Sequence, residues 1–414
     1  MKKGYLSQYF EGVAIKRLSK VEADSVRSNQ HEFNGVTKLK NILGKPQGKT
    51  RYPARFLYLT DQDDEPIVDE GFLTWYDARE KGRIERGTGR SERRLYFPPN
   101  LVMQNAAEGD LLVVAKLADN TLLAIVAEHE TTIKQQLLWL FGFTDVAHPG
   151  FSVKSELETE QDRISFAANV VLEQIGIFIA DEAPNYLDLM LEKFGGEFPK
   201  TIEFSDFARS TISDLSSQDD PDIALISWME REEVLFRTLE KHLLGERLRN
   251  LSKKGEIEDT DTYLQLALSV LNRRKSRAGS ALENHLEQIF KDFQLTYTRG
   301  GVTEGKSKPD FVFPGIAQYH DNNFDPQDLT MLASKSTCKD RWRQILSEAK
   351  KIQNKHLLTL EPSISLNQTN EMQQAQVQLV LPKGIHNTYS QQQQSWLMDL
   401  SSFLVLAKEK QGKV

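Results

Sequence analysis

Short runs of β-branched and aromatic residues, bounded by turn formers, fill the chain up to about residue 160. Beyond that point the apolar residues fall at helical spacing. This change of period constrains the chain more than any other feature, because strand and helix patterns bury different faces and do not interchange. Arg55–Thr60, Leu111–Leu117 and Thr121–Ala127 read as strands, with Asp119-Asn120 as the turn of a hairpin. Several short strands with little helix predict a sandwich or barrel. Ile164–Ala180 is a mostly apolar, helix-capable run, and Leu187, Leu189, Met190, Leu191 and Phe194 continue at helical spacing. The chain after about residue 245 alternates helix and strand, which predicts α/β packing.

The expected elements there begin with a helix opened at Ser280 that buries Leu282, Leu286, Ile289 and Phe290. Strands are expected at Asp310–Phe313, Leu329–Thr337, His356–Leu360 and Val377–Leu381. A helix at Asp340–Lys351 places Ile345, Leu346, Ala349 and Ile352 on one side, and a C-terminal amphipathic helix carries Trp396, Leu400, Phe403 and Leu404. The expected domains are 1–175 and 197–414, joined by a linker at 176–196.

The chain has 52 Lys+Arg against 59 Asp+Glu, a net charge of −7. A mild acidic balance argues against nucleic acid as a partner but allows it, since a basic patch can be offset elsewhere. The single cysteine, Cys338, excludes an internal disulfide or a cysteine-rich zinc site and fits a reducing cytoplasm. The first twenty residues lack the apolar core and cleavage site of a signal peptide. The most apolar stretch, Asp110–Ala127, is cut by Lys116, Asp119 and Asn120, so no membrane segment is expected. The histidines are scattered, with no HExxH, which disfavours a zinc enzyme, and no G-x-S-x-G is present. Gly44–Thr50 (GKPQGKT) is one residue short of a P-loop spacing and contains proline, so it reads as a basic surface loop.

The informative region runs from Asn272 to Glu348. Arg273, Arg274, Lys275 and Arg277 form a basic run, and Glu283 and Glu287 follow one helical turn apart. Lys308–Pro314 (KPDFVFP) places the Asp310 carboxylate at the start of a strand, and Lys335 lies on the next strand. Lys339-Asp340-Arg341 then opens a helix whose Glu348 shares a face with Arg341 at about 100° per residue. Two carboxylates and a lysine in this order suit metal-assisted phosphodiester hydrolysis. Asp310 and Glu348 would hold a hard cation such as Mg²⁺, and Lys335 would orient water and stabilise developing charge. Glu283 would add a supporting metal contact. Each group also has a plainer reading. Ser280-x-x-Glu283 matches a capping box, and Lys335 also reads as a solvated strand residue. Lys339–Arg343 also reads as only a charged helix start, and Glu348 as a helix-surface partner of Lys351 or Lys355.

Asn272–Ala278 (NRRKSRA), Glu304–Pro314 (EGKSKPDFVFP) and Lys335–Glu348 (KSTCKDRWRQILSE) together resemble the catalytic domain of the EcoRII-like type II restriction endonucleases. The resemblance is strongest from about Leu271 to Thr359. It implies an α/β restriction-endonuclease-like domain of the PD-(D/E)XK class. Asp310, Lys335 and Glu348 match the family's catalytic triad, and Glu283 its additional active-site glutamate. Ala333 stands where the wider superfamily has a carboxylate; the EcoRII-like subgroup makes the same exchange. Lys339, Asp340 and Arg341 match the segment that reads C and G edges in the major groove, which suits their donor and acceptor chemistry. The implied target is a short CC-x-GG type site in double-stranded DNA, cut with Mg²⁺ to leave 5′-phosphates. A palindromic site implies a homodimer, and a cognate DNA methyltransferase would protect host DNA.

Gly12–Lys20 (GVAIKRLSK) resembles the start of the family's N-terminal effector domain, a DNA-binding β pseudobarrel. Arg90, Glu92, Arg93 and Arg94 line up with its base-reading stretch. From Asp77 to Arg94 there are seven basic and four acidic residues, a local excess of +3; a solvated charged loop is the plainer reading. The resemblance further implies that this domain restrains the catalytic one until it binds DNA. One departure concerns a stacking pair that holds a flipped base in the family. Met229 and Glu233 stand at those positions, and only the adjacent Trp228 offers a stacking plane. A modified-DNA or repair nuclease of the same fold, and an inactive DNA-binding regulator, are the competing expectations.

Overall fold

The computed structural model describes residues 2–24, 31–62, 65–87, 89–144, 146, 149–179, 184–253 and 260–412. The chain divides into two compact units. The first is Met1–Phe178 with Pro362–Gln368; the second is Ile179–Glu361 with Thr369–Val414.

The first unit is built on eight strands: β1 (Phe10–Arg17), β2 (Glu32–Phe33), β3 (Thr50–Leu59), β4 (Ile67–Asp77), β5 (Arg93–Tyr96), β6 (Leu111–Leu117), β7 (Leu122–Ala127) and β8 (Ser152–Lys154). They form a single sheet in the order β2-β5-β4-β3-β7-β6-β1-β8. The β3–β7 pair is parallel and the other neighbours are antiparallel. Strands β6 and β7 close the expected hairpin, with Asn120 at φ 65° in its turn. Their apolar runs are buried along most of their length because both faces are covered. One face packs Trp75, Leu95, Phe97, Phe56, Leu112 and Val126 into a common core. On the other, Phe141 of the helix Thr132–Phe141 meets Phe10 edge-on at 5.3 Å.

This is one curled sheet rather than two stacked ones, which corrects the sandwich expectation. Next to edge strand β2, the Gly35 carbonyl accepts the Phe151 N–H, just ahead of edge strand β8, at 3.4 Å. Gly35 has φ +68°, and a Cβ there would stand 2.4 Å from the Pro149 carbonyl oxygen. Gly35→Ala should therefore destabilise this unit by more than about 1 kcal/mol, since it adds a backbone clash to an unfavourable φ. Amide exchange of β1 and β8 in a urea series measures it; unchanged protection would remove the curl argument. Within the same unit, Ser365 N–H donates to Thr132 Oγ1 (3.1 Å) and Gln368 Nε2 to Asp61 Oδ2 (3.2 Å). These bonds tie 362–368, which the sequence reading counted with the C-terminal domain, to the N-terminal sheet unit.

The second unit opens with helices Leu187–Phe194, Thr201–Ser210 and Pro221–Lys253. Met190, Phe204, Phe207, Leu235, Phe236 and Leu239 form their shared core. Part of the stretch expected as a linker is thus a helix with a buried methionine. Five further strands follow: β9 (Thr298–Arg299), β10 (Phe311–Phe313), β11 (Thr330–Lys335), β12 (Lys355–Thr359) and β13 (Val377–Val380). Their order is β13-β12-β11-β10-β9. The β11–β12–β13 run is parallel, and β10 is antiparallel to both its neighbours.

The helix expected to open at Ser280 instead runs unbroken from Thr260 to Asp292. Ser280 is internal to it, so no capping box exists there. Its stripe is as expected: Leu282, Leu286, Ile289 and Phe290 are buried, and Phe290 meets Phe311 and Phe313 edge-on at 5.0 and 5.1 Å. The C-terminal helix is Leu400–Gln411 and places Phe403 against Phe313. Trp396 precedes this helix rather than belonging to it.

Candidate active site

Asp310 immediately precedes β10, and the β10–β11 register, continued by one residue, sets it opposite Ala333. With alanine there, the Asp310 carboxylate can turn to the backbone beyond it. Its Oδ2 accepts the Ser334 N–H at 2.7 Å and the Ser334 hydroxyl at 3.3 Å. The Lys335 ammonium at the end of β11 points to the same oxygen, at 3.5 Å. Both side chains keep partial exposure, 27% for Lys335 and 19% for Asp310.

Glu348 reaches the site by another route than expected. Residues Lys339–Ser347 are a 3-10 helix, not an α-helix, and Glu348 follows it in extended backbone (φ −86°, ψ 147°). At three residues per turn, positions 342 and 345 share a face. Trp342 and Ile345 are accordingly buried, while Leu346 is 38% exposed. Glu348 lies beyond the 3-10 helix, so it does not share a helical face with Arg341. Burial, then the nearby charge of Asp310, push the Glu348 carboxyl above its ordinary range; Lys335 and Lys355 pull it the other way.

Glu283 lies mid-helix and faces β9. Its carboxylate is held by the Arg299 guanidinium, Nη2 to Oε2 at 2.8 Å. The same arginine holds Glu287 Oε2 at 2.8 Å and Asn284 Oδ1 at 3.0 Å. Burial opposes the ionised form of Glu287, yet hydrogen bonds from Arg299 and Tyr297 carry its carboxyl below the usual range. Sequence reading missed Arg299; a lone arginine before two glycines carries no local signal. Arg299→Met leaves two half-buried carboxylates without their cation. It should destabilise the second unit by about 1–3 kcal/mol, below the fully buried limit because the groups keep partial exposure. Adding Glu287→Gln should recover part of the loss in a denaturant titration, and a neutral single variant would refute the coupling.

The basic run ahead of Glu283 is mostly structural. Arg274 pairs with Glu240 at 2.5 Å. Arg277 is 9% exposed, donates to the Pro199 carbonyl and lies over the rings of Phe204 and Phe236. Arg273 stacks over Phe198 at 4.3 Å. Trp228 is 6% exposed and packs against His285, so it offers no open plane for a base; this corrects the stacking expectation. Met229 is equally a core residue. Arg341 is exposed on the 3-10 helix Lys339–Ser347. The side chains of Lys339 and Asp340 lie outside the described residues.

In the first unit, Arg94 on β5 pairs with Glu32 at 2.9 Å and with Glu92 at 2.7 Å. Hydrogen bonds from Arg94 and then Arg79 hold the Glu92 carboxyl below its ordinary range. Arg93 donates to the Pro46 carbonyl at 3.0 Å and lies over Trp75. Arg90 is exposed in the preceding loop.

Among the described residues, no cluster of three or more His, Cys, Asp or Glu side chains could enclose a metal by itself. The Asp310–Glu348 set instead supplies two hard carboxylate oxygen donors, and the Asp310 charge acts on Glu348. Such a set suits Mg²⁺, which keeps several waters and takes one or two carboxylates plus phosphate oxygens. No helix among the described residues is long and apolar enough to cross a membrane.

Residues 236–404 match the family described as the EcoRII C-terminal domain. Over 231 residues the chain is 39% identical to the type II restriction enzyme EcoRII of Escherichia coli, a match covering 55% of each protein. The chain thus spans just over half the length of that relative. Both matches bear out the resemblance carried by the three motifs. Among solved structures, metal-depleted Ecl18kI in complex with uncleaved, modified DNA aligns with a TM-score of 0.46 and 21% identity, over 56% of this chain and 86% of that one. A complex of restriction endonuclease PspGI with substrate DNA aligns with a TM-score of 0.42 and 15% identity, over 52% and 95%.

Proposed function

We propose that this chain is a Mg²⁺-dependent type II restriction endonuclease that cuts double-stranded DNA at a short CC-x-GG type site and leaves 5′-phosphates. The observation that carries the reading is the convergence of Asp310, Lys335 and Glu348 from two strands and a turn, inside the segment that matches the EcoRII C-terminal family. Asp310 and Glu348 would hold the Mg²⁺, which would supply neutralisation of the scissile phosphate and a lowered pKa for the attacking water. Asp310 keeps the Lys335 ammonium at 3.5 Å. There Lys335 orients the water and meets the charge that develops on the phosphate. Glu283, already fixed by Arg299, supports the acidic side of the site. Lys339, Asp340 and Arg341 read base edges from the 3-10 helix that leads to Glu348.

The first unit is proposed as the effector module, a pseudobarrel binding a second copy of the site through Arg90, Glu92, Arg93 and Arg94. A palindromic target favours a homodimer with one active site per strand. A cognate methyltransferase would guard host DNA in the cytoplasm.

The test is digestion of DNA carrying several CC-x-GG sites with Mg²⁺, with ends mapped and an Asp310→Ala control. Discrete cuts at one short sequence, absent in the control, are expected. Cutting only of methylated DNA would favour the modified-DNA nuclease. Specific binding without any cutting would favour an inactive regulator. DNA with one site should be cut more slowly than DNA with several; equal rates would refute the effector role.

A further inference from the structure

We infer that Lys355 is a positioning residue for Glu348: its buried ammonium clasps the turn that carries this carboxylate out of the 3-10 helix and into the site. The inference rests on the proposed reading of Asp310 and Glu348 as the metal-holding pair.

The turn is strained. Ala349, directly after Glu348, has φ +44° and is fully buried. A non-glycine residue persists in that region only where its surroundings over-determine it. Lys355, at the start of β12 and 6% exposed, donates to the carbonyls of Glu348 (2.6 Å), Ala349 (3.1 Å) and Ile352 (3.0 Å). Three carbonyls match the three donors of an ammonium group. They also compensate a charge that burial would otherwise make costly. The amides of the same turn are tied as well. Ala349 N–H donates to Thr303 Oγ1 (3.4 Å), Lys350 N–H to Glu304 Oε2 (3.3 Å) and Lys351 N–H to the Tyr319 hydroxyl (3.2 Å).

The clasp is anchored to the catalytic strand. Strand β12 pairs in parallel with β11 in the register Lys335↔Thr359. One strand pair therefore fixes the clasp relative to the catalytic lysine. Lys355 hydrogen-bonds the backbone of the turn at the Glu348 carbonyl, not the Glu348 carboxylate. Lys351, the other lysine proposed from the sequence as a partner for Glu348, donates instead to the Tyr319 carbonyl at 2.8 Å.

The experiment uses the full chain with Lys355→Met, alone and combined with Ala349→Gly, which relieves the φ strain. In the metal-free protein, amide exchange should accelerate at 349–352 while β10 and β11 stay protected. Calorimetric Mg²⁺ titration should show affinity reduced about 10- to 100-fold, as when the support of a metal ligand is removed. Turnover should fall with KM for DNA unchanged, and Ala349→Gly should restore part of the Mg²⁺ affinity. Unchanged exchange at 349–352 would overturn the clasp. So would uniform acceleration across the whole sheet with no recovery by Ala349→Gly. If the wild type itself bound no Mg²⁺ while exchange opened locally in Lys355→Met, the clasp would stand and the metal reading would fail.

Discussion

Asp310→Asn is expected to cut cleavage by about a thousandfold or more while leaving the fold intact. Removing a metal carboxylate forfeits several kcal/mol of charge stabilisation, and each 1.36 kcal/mol is about tenfold in rate. The same change removes the anion that holds the Lys335 ammonium. Asparagine keeps the shape of aspartate, and its carbonyl can still accept the Ser334 N–H now bound by Oδ2. The unfolding midpoint should therefore move little, and metal-free binding of the recognition site should persist. Single-turnover cleavage of a one-site duplex, beside a melting curve, separates these effects. Cleavage within about tenfold of wild type would show that Asp310 does not hold the metal.

Glu348→Gln is expected to abolish cleavage to a similar extent and to stabilise the metal-free protein at neutral pH. Burial and then the Asp310 charge raise the carboxyl of Glu348 in the folded state. A carboxyl raised in this way binds its proton more tightly folded than unfolded. Its favourable contribution is complete below the ordinary glutamate value, about 4.3, and is lost as pH rises through the folded value. Metal-free wild type should thus lose stability on going from acid to neutral pH, and the glutamine variant should lose less. Mg²⁺ reverses the ranking, because a ligand at 100 times its Kd stabilises by about 2.7 kcal/mol and only a protein that binds it benefits. Thermal melts at pH 5 and 7.5, each with and without Mg²⁺, give the four values. A glutamine variant that melts like wild type in all four conditions would remove Glu348 from the site.

Much of this was legible in the chain itself. The β hairpin at Asp119-Asn120, the strand after Pro309 and the stripe Leu282–Phe290 rest on local period and turn chemistry, and all three hold in the fold. The order Asp310, Lys335, Glu348 is likewise local: each residue is tied to its own strand or helix end. What sequence alone misjudged is equally specific. An α-helical period across 340–351 gave way to a 3-10 helix, since Trp342 and Ile345, three apart, both enter the core. Ser280-x-x-Glu283 had the form of a cap, but the apolar stripe extends past it and the helix continues.

The sequence by itself determined which residue types could do chemistry and in what order, because periodicity and motif spacing are properties of neighbours along the chain. The tertiary structure alone decided their environments. Strand pairing gave Asp310 its Ser334 amide, β9 gave Glu283 its arginine, and the start of β12 placed a buried ammonium under the Glu348 turn. Trp228 was turned into the core by the same packing. Burial and charge proximity arise between segments far apart in sequence, so no local pattern encodes them.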